Sequence, residues 1–203
     1  MIRRLILATS LAAASLPLYA TTYTLEPDYT QGVFRWNHLG FSSPAGQFAQ
    51  GQGTLEFDRA DPTRSSVAVT IPLSTLSTGV PALDDDFRST DFFDTARFPT
   101  ATFKSTKVEK GMAVDRLEVT GQLTLHGVTR PIRLEVTVVK IGTNPRSGLP
   151  TVGFDASATL KRSDFGLGRY VPQVGDEIQL HLTSQAVEAK AYAEYLKAQA
   201  TKH

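Results

Sequence analysis

The 203-residue chain contains no cysteine. That excludes disulfides, thiolate nucleophiles, cysteine metal sites and a lipid-modified N-terminal cysteine, so stability has to come from a packed core. Histidine is scarce, with His38, His126, His181 and His203 only. None has a second histidine at HxH or HxxxH spacing, which argues against a zinc or copper centre. No run of lysine or arginine supplies the basic stripe that follows nucleic-acid phosphates. There is no GxSxG elbow and no phosphate-cradling glycine loop. Asp84, Asp85 and Asp86 lack the glycine turn and distal glutamate of an EF-hand loop. They read as a solvated helix start, where acidic side chains favour the positive end of the helix dipole. Catalysis, a metal, a cofactor and a nucleic-acid partner are therefore not indicated.

No apolar stretch reaches the roughly 20 residues of a membrane-spanning helix. The apolar run Leu5 to Leu16 follows Arg3 and Arg4 and leads to Pro17-Leu18-Tyr19-Ala20. This is the plan of a cleavable signal peptide over residues 1–20. Its removal takes away two cations and no acid, leaving the mature chain near neutral at about −1. Residues 21–186 suit one domain with a sizeable core. Residues 187–203 are alanine-rich and free of glycine and proline, with Val187, Ala191, Tyr195 and Leu196 at helical spacing. They read as a C-terminal helical tail that docks on its own domain, plugs an opening, meets a partner or frays.

What the chain does have is period-two alternation between those ends. Phe34, Trp36 and His38 share one face of a strand over 33–38, and Leu55 and Phe57 one face of 53–58. Further strands fall at 66–72, 99–104, 114–125, 132–138, 152–160 and 177–186. Glycine, proline and asparagine mark the turns, among them His126-Gly127 and Asn144-Pro145-Arg146-Ser147-Gly148. About eight strands at regular spacing predict an all-β sandwich or closed antiparallel barrel.

The stretch Leu83 to Phe103 is unusual in setting acidic residues beside phenylalanines. Its first half reads as a short helix, and its aromatic half as a lid over an apolar interior. Phe34, Trp36, Phe41, Phe48, Phe57, Phe87, Phe92, Phe93, Phe98, Phe103, Phe154 and Phe165 are the candidate lining residues. His38 reads first as a satisfied core histidine and second as a polar anchor in a pocket. In an eight-stranded barrel such residues either fill the interior or line a cavity for one ligand, and patterning leaves both open.

Several segments together resemble the YceI-like family of exported lipid-binding barrels. They include Phe34-Arg35-Trp36-Asn37-His38-Leu39-Gly40 with Gly46-Gln47-Phe48, Leu76-Ser77-Thr78-Gly79, and Phe87-Arg88-Ser89-Thr90-Asp91-Phe92-Phe93-Asp94 with Phe98-Pro99-Thr100-Ala101-Thr102-Phe103. Val119 to Pro131, Lys161-Arg162-Ser163-Asp164-Phe165-Gly166 and Val174-Gly175-Asp176-Glu177 continue the match in order. The resemblance implies a lipocalin-like antiparallel eight-stranded barrel with a short helical lid, located in the periplasm. It also implies a non-enzymatic carrier of an isoprenoid-type lipid, a quinone or a polyprenyl compound, held by the aromatic residues above and by His38. A homodimer is compatible with it. Where the family has Arg-Asp-x-His-Leu, this chain has Leu83-Asp84-Asp85-Asp86-Phe87, and the added acid disfavours a phosphorylated head group. The rival expectation is a stress-response or interaction module with a filled barrel and no cargo.

Overall fold

The structure, a computed structural model, describes residues 20–201. The expected signal peptide lies outside the described residues except for Ala20. All ten strands belong to one antiparallel sheet. β1 (Thr21–Leu25) and β2 (Gln31–His38) form one stave of a barrel, interrupted by a 3₁₀ turn at Pro27–Tyr29. β3 (Ala45–Phe48) and β4 (Gln52–Phe57) form the second stave. The other six are β5 (Ser66–Pro72), β6 (Thr100–Lys110), β7 (Arg116–Leu125), β8 (Val128–Thr143), β9 (Pro150–Lys161) and β10 (Val174–Glu188). Each pairs with the next in chain order, and β10 returns to the first stave, with Tyr23 opposite Glu188 and Phe34 opposite Leu180. The result is the expected closed eight-stranded antiparallel barrel. Closure pairs every stave with both neighbours, although β3 is laddered only to β2 and β6 runs on past β5 beyond Lys104.

The hairpins follow from local chemistry. His126 and Gly127 both take positive φ, 51° and 73°, the geometry that joins tightly paired strands without splaying them. Three register shifts bend the staves, between Ser105 and Lys107, Val138 and Lys140, and Val174 and Ile178. The first two insert a single extra residue, which resets the inside–outside alternation, whereas the third inserts two and preserves it. Val136 and Val138 are therefore followed into the core by Ile141, and Val139 is left exposed. The strand expected to stop at 138 runs on to 143 for this reason. β1 and β3 were not expected as separate strands, because four or five residues carry too little alternation to register.

The two ends of the barrel differ. At one, the mouth, α1 (Pro81–Arg88) and the aromatic turn after it face the connection from β9 to β10, which begins with a 3₁₀ turn at Arg162–Phe165. Phe34, Trp36 and Leu76 are buried here, with Phe48, Leu83, Phe87 and Phe93 packed on them. Toward the other end two further clusters form around Leu25, Leu55, Phe57 and Val152, and around Phe103, Val119 and Leu134. The C-terminal helix α2 (Ala189–Ala200) follows β10 directly and packs on β1 and β10. Of the four fates open to the tail, docking on its own barrel is the one seen, although Val187 belongs to the strand and is fully buried.

Glycine is required where staves approach closely. A Cβ on Gly53 would collide with the backbone carbonyl of Ala68 on β5, whereas one on Gly142 would meet nothing nearer than Lys140 Cε at 3.8 Å. Gly53→Ala should destabilise the barrel by about 1–3 kcal/mol through overpacking, while Gly142→Ala should be neutral or slightly stabilising. Paired thermal melts decide this. Equal melting temperatures for the two variants would contradict the packing described for β4 and β5.

Candidate functional site

The barrel encloses a cavity of about 650 Å³. It runs from α1 and the β9–β10 connection down to Leu25, Phe57, Ser65, Val108 and Leu117 toward the far end. Its walls are the inward residues of the staves, among them Val67 and Val69 of β5, Leu134 and Val136 of β8, and Ile178, Leu180 and Leu182 of β10. Ten of the thirteen candidate residues line it: Phe34, Trp36, His38, Phe48, Phe57, Phe87, Phe92, Phe93, Phe103 and Phe154. The interior is thus not a filled core.

Three candidates lie elsewhere. Phe41 is 91% exposed. It follows the Leu39-Gly40 turn, where positive φ at both residues ends the alternation of β2 before Phe41 is reached. Phe98 packs edge-on against His126, ring centroids 4.9 Å apart, with Arg97 over its ring. Phe165 is buried but outside the lining, and its carbonyl accepts from His126 Nδ1 at 3.1 Å. Phe98, His126 and Phe165 thus tie the β7–β8 turn to the segment after β9 and form no part of the cavity wall. His38, expected first as a core histidine, is exposed at the rim, because it ends β2 where the barrel opens.

The lid is held by ring packing and by two polar anchors. Phe34 stacks on Trp36 and on Phe48 at 5.7 and 5.2 Å, and Phe87 of α1 meets Trp36 edge-on at 5.4 Å. Phe93 meets Phe48 at 5.6 Å, so the aromatic turn clamps both of the first two staves. Asp84 is buried rather than solvated. Its Oδ1 accepts from both Thr78 N and Thr78 Oγ1, each at 2.6 Å. The Thr78 hydroxyl is the first cause holding this carboxyl below the usual carboxylate range, against the upward push of burial. Arg88 reaches back to the Leu76 carbonyl and to Asp85, 3.7 Å away. Only Asp85 and Asp86 fit the expected solvated helix start.

The ionisable groups in the lining gather at the mouth: His38, Asp86, Asp91, Arg162, Arg169 and Tyr170. Asp91 is ion-paired to Arg169, whose guanidinium lies 5.0 Å from the centre of the Tyr170 ring. Tyr170 in turn lies 6.3 Å from Phe92, so the aromatic turn and the β9–β10 connection touch across the opening. Arg162 is buried and donates to four backbone carbonyls, of Gly175, Leu167, Arg169 and Val174. Deeper in, Thr30 and Ser184 bond hydroxyl to hydroxyl at 2.9 Å where β1 gives way to β2. Sequence reasoning passed over Arg162, Arg169 and Tyr170, which sit in an irregular segment with no periodicity. Their only signal was membership of the Lys161 to Gly166 motif and its sequel. Among the described residues no group of three or more His, Asp or Glu side chains is placed to hold a metal ion.

A closed antiparallel barrel of eight strands, hollow, apolar inside and polar at one rim, is a lipocalin-type binding barrel. Residues 23–186 match the YceI-like domain, and the chain belongs to that family. It is 38% identical to the protein YceI of Escherichia coli O157:H7 over 157 residues, 77% of this chain and 81% of that one. Among solved structures, the Campylobacter jejuni YceI protein superposes with a TM-score of 0.67 at 27% identity, covering 75% of this chain and 89% of the other. A polyisoprenoid-binding domain from Saccharophagus degradans shares the fold, with a TM-score of 0.62 at 17% identity over 83% of this chain and 99% of its own.

The Asp84 anchor has a pH signature. A depressed carboxyl contributes stability that is present above the unfolded value of about 4 and lost as pH falls through the lower folded value. The protection of the backbone amides from Thr78 to Val80 against exchange, taken relative to the intrinsic rate at each pH, should therefore fall in acid. Asp84→Ala should lower that protection at neutral pH and abolish its acid dependence. An unchanged exchange profile in Asp84→Ala would refute the anchor.

Proposed function

We propose that the protein is a periplasmic carrier, exported by a cleavable signal peptide, that sequesters a long-chain isoprenoid-type lipid such as a quinone or polyprenyl compound in the barrel. One observation carries this reading: the ionisable side chains of the lining gather at the mouth, and below them the walls are apolar apart from a few hydroxyls and Gln31. That is the complement of an amphiphile with a polar head and a long tail. Burial contributes roughly 0.8 kcal/mol per CH₂, so a few prenyl units give tight binding without any catalytic group. The cavity volume lies within the range of about 300–1,000 Å³ usual for small-molecule sites.

Phe34, Trp36, Phe48, Phe57, Phe103 and Phe154 would form the wall against the tail, and Phe87, Phe92 and Phe93 the lid. Family membership and the polyisoprenoid-binding fold neighbour support a lipid ligand. Among the described residues no helix is long and apolar enough to cross a membrane. The reading assigns no turnover. The rival, a cargo-free module with a filled barrel, does not account for the cavity.

Purified protein denatured in organic solvent should release an isoprenoid-type lipid, identified by mass spectrometry. Ala156 lines the cavity on β9. Ala156→Phe should fill part of that space and lower affinity for added quinone or polyprenol at least about tenfold, equivalent to 1.4 kcal/mol. Protein that yields no lipid and binds neither probe would overturn the proposal.

A further inference from the structure

Arg162 is a charged group in an unusual position. It is only 8% exposed, it lines the cavity at the mouth, and it has no carboxylate in ion-pair contact among the described residues. Asp176, whose charge it feels, is engaged elsewhere, accepting from Ser163 N at 2.9 Å and Ser163 Oγ at 2.7 Å. The four carbonyls around Arg162 orient its guanidinium and fasten the segment from Leu167 to Gly175. They are dipoles, so they solvate the charge without neutralising it. They also take four of the five N–H donors a guanidinium carries. One Nη2 hydrogen is left without a partner among the described residues.

The acids nearby do not bond to this guanidinium. Asp84 is taken up by Thr78, Asp85 by Arg88 and Asp91 by Arg169. Asp86 is exposed, and its field is screened by solvent and salt in a way that a buried charge is not. Arg162 thus lines the mouth with a spare N–H donor and with none of these acids bonded to it. In a site of low dielectric, the group that answers a spare N–H on a buried cation is an acceptor oxygen.

We propose that Arg162 is the head-group anchor of the cavity, and that the lipid it selects carries a carbonyl-type acceptor oxygen, either a carboxylate or a neutral amide or quinone carbonyl. This rests on the lipid-carrier reading above and deepens it. A head with a single acceptor site and at most one negative charge matches one buried cation and one free N–H. A multiply charged head would bring more negative charge than this single cation offsets.

The test uses the whole protein and three probes sharing one isoprenoid chain: the carboxylic acid, the primary amide and the headless hydrocarbon. The acid or the amide should bind about ten- to a hundredfold tighter than the hydrocarbon, the gain expected of a hydrogen bond to a charged group. Which of the two binds tighter identifies the head as charged or neutral. Nitrogen-15 NMR should show the Arg162 side-chain resonances shifting with the headed probes and not with the hydrocarbon. In Arg162→Met, checked for folding by thermal melt, the preference for a head should fall to within about twofold while hydrocarbon binding persists. Should that variant fail to fold, the wild-type series and the NMR shifts decide alone. Equal binding of all three probes overturns the anchor and leaves the carrier intact. No binding of any probe overturns the carrier and the anchor together.

Discussion

The hydrogen-bonded ring is the constraint on which the cavity depends. An apolar interior can remain unfilled only if the backbone around it presents no unpaired donors or acceptors to the inside. Each stave meets that condition by bonding to both neighbours, and β10 completes the circuit by pairing with β9 on one side and with β1 and β2 on the other. The interruptions are repaired locally. Where β1 breaks, Glu26 N donates to the Gln185 carbonyl and Gly51 N to that of Thr30, and the Thr30 and Ser184 hydroxyls satisfy each other. With the main chain accounted for, side chains alone decide what the interior accepts.

The mouth is built on another principle. Its aromatic lid is held to β2 and β3 by rings meeting at 5.4 to 6.5 Å, while Asp84 and Arg88 fix where α1 begins and ends. Stacked and edge-on rings contribute without the directional demands of hydrogen bonds. A lid so attached can shift against the staves at lower cost than a strand leaving the ring. The β9–β10 connection faces it from across the opening, shaped by four bonds from Arg162. The two sides of the entrance are thus set by different chemistries, one apolar and one polar, and an amphiphile presents both.

Much of this was legible in the sequence, and the failures have physical causes. Alternation exposed the eight staves and most of the lining, because inward positions repeat every second residue. It failed where the repeat is broken. The bulge after Val138 hid the last turn of β8, and the positive-φ turn at Leu39 and Gly40 turned Phe41 out to solvent. Phe98 and Phe165 lie off the lining because both engage His126 at the β7–β8 turn, a contact between distant segments that period two does not reveal. Asp84 was misread because its partner, Thr78, approaches from a preceding turn that no helical rule anticipates. Arg162 could not be assigned from sequence, since its partners are carbonyls and carbonyls carry no residue identity. The family resemblance supplied the barrel class that patterning left open between a sandwich and a closed ring.

Pairing of the first stave with the last also sets when the protein can acquire its shape. Tyr23 waits for Glu188, and Phe34 for Leu180, so the ring cannot close until nearly the whole chain is available. Contacts this distant along the chain form late and slowly. For a chain exported as proposed above, such delay keeps the barrel from forming before translocation.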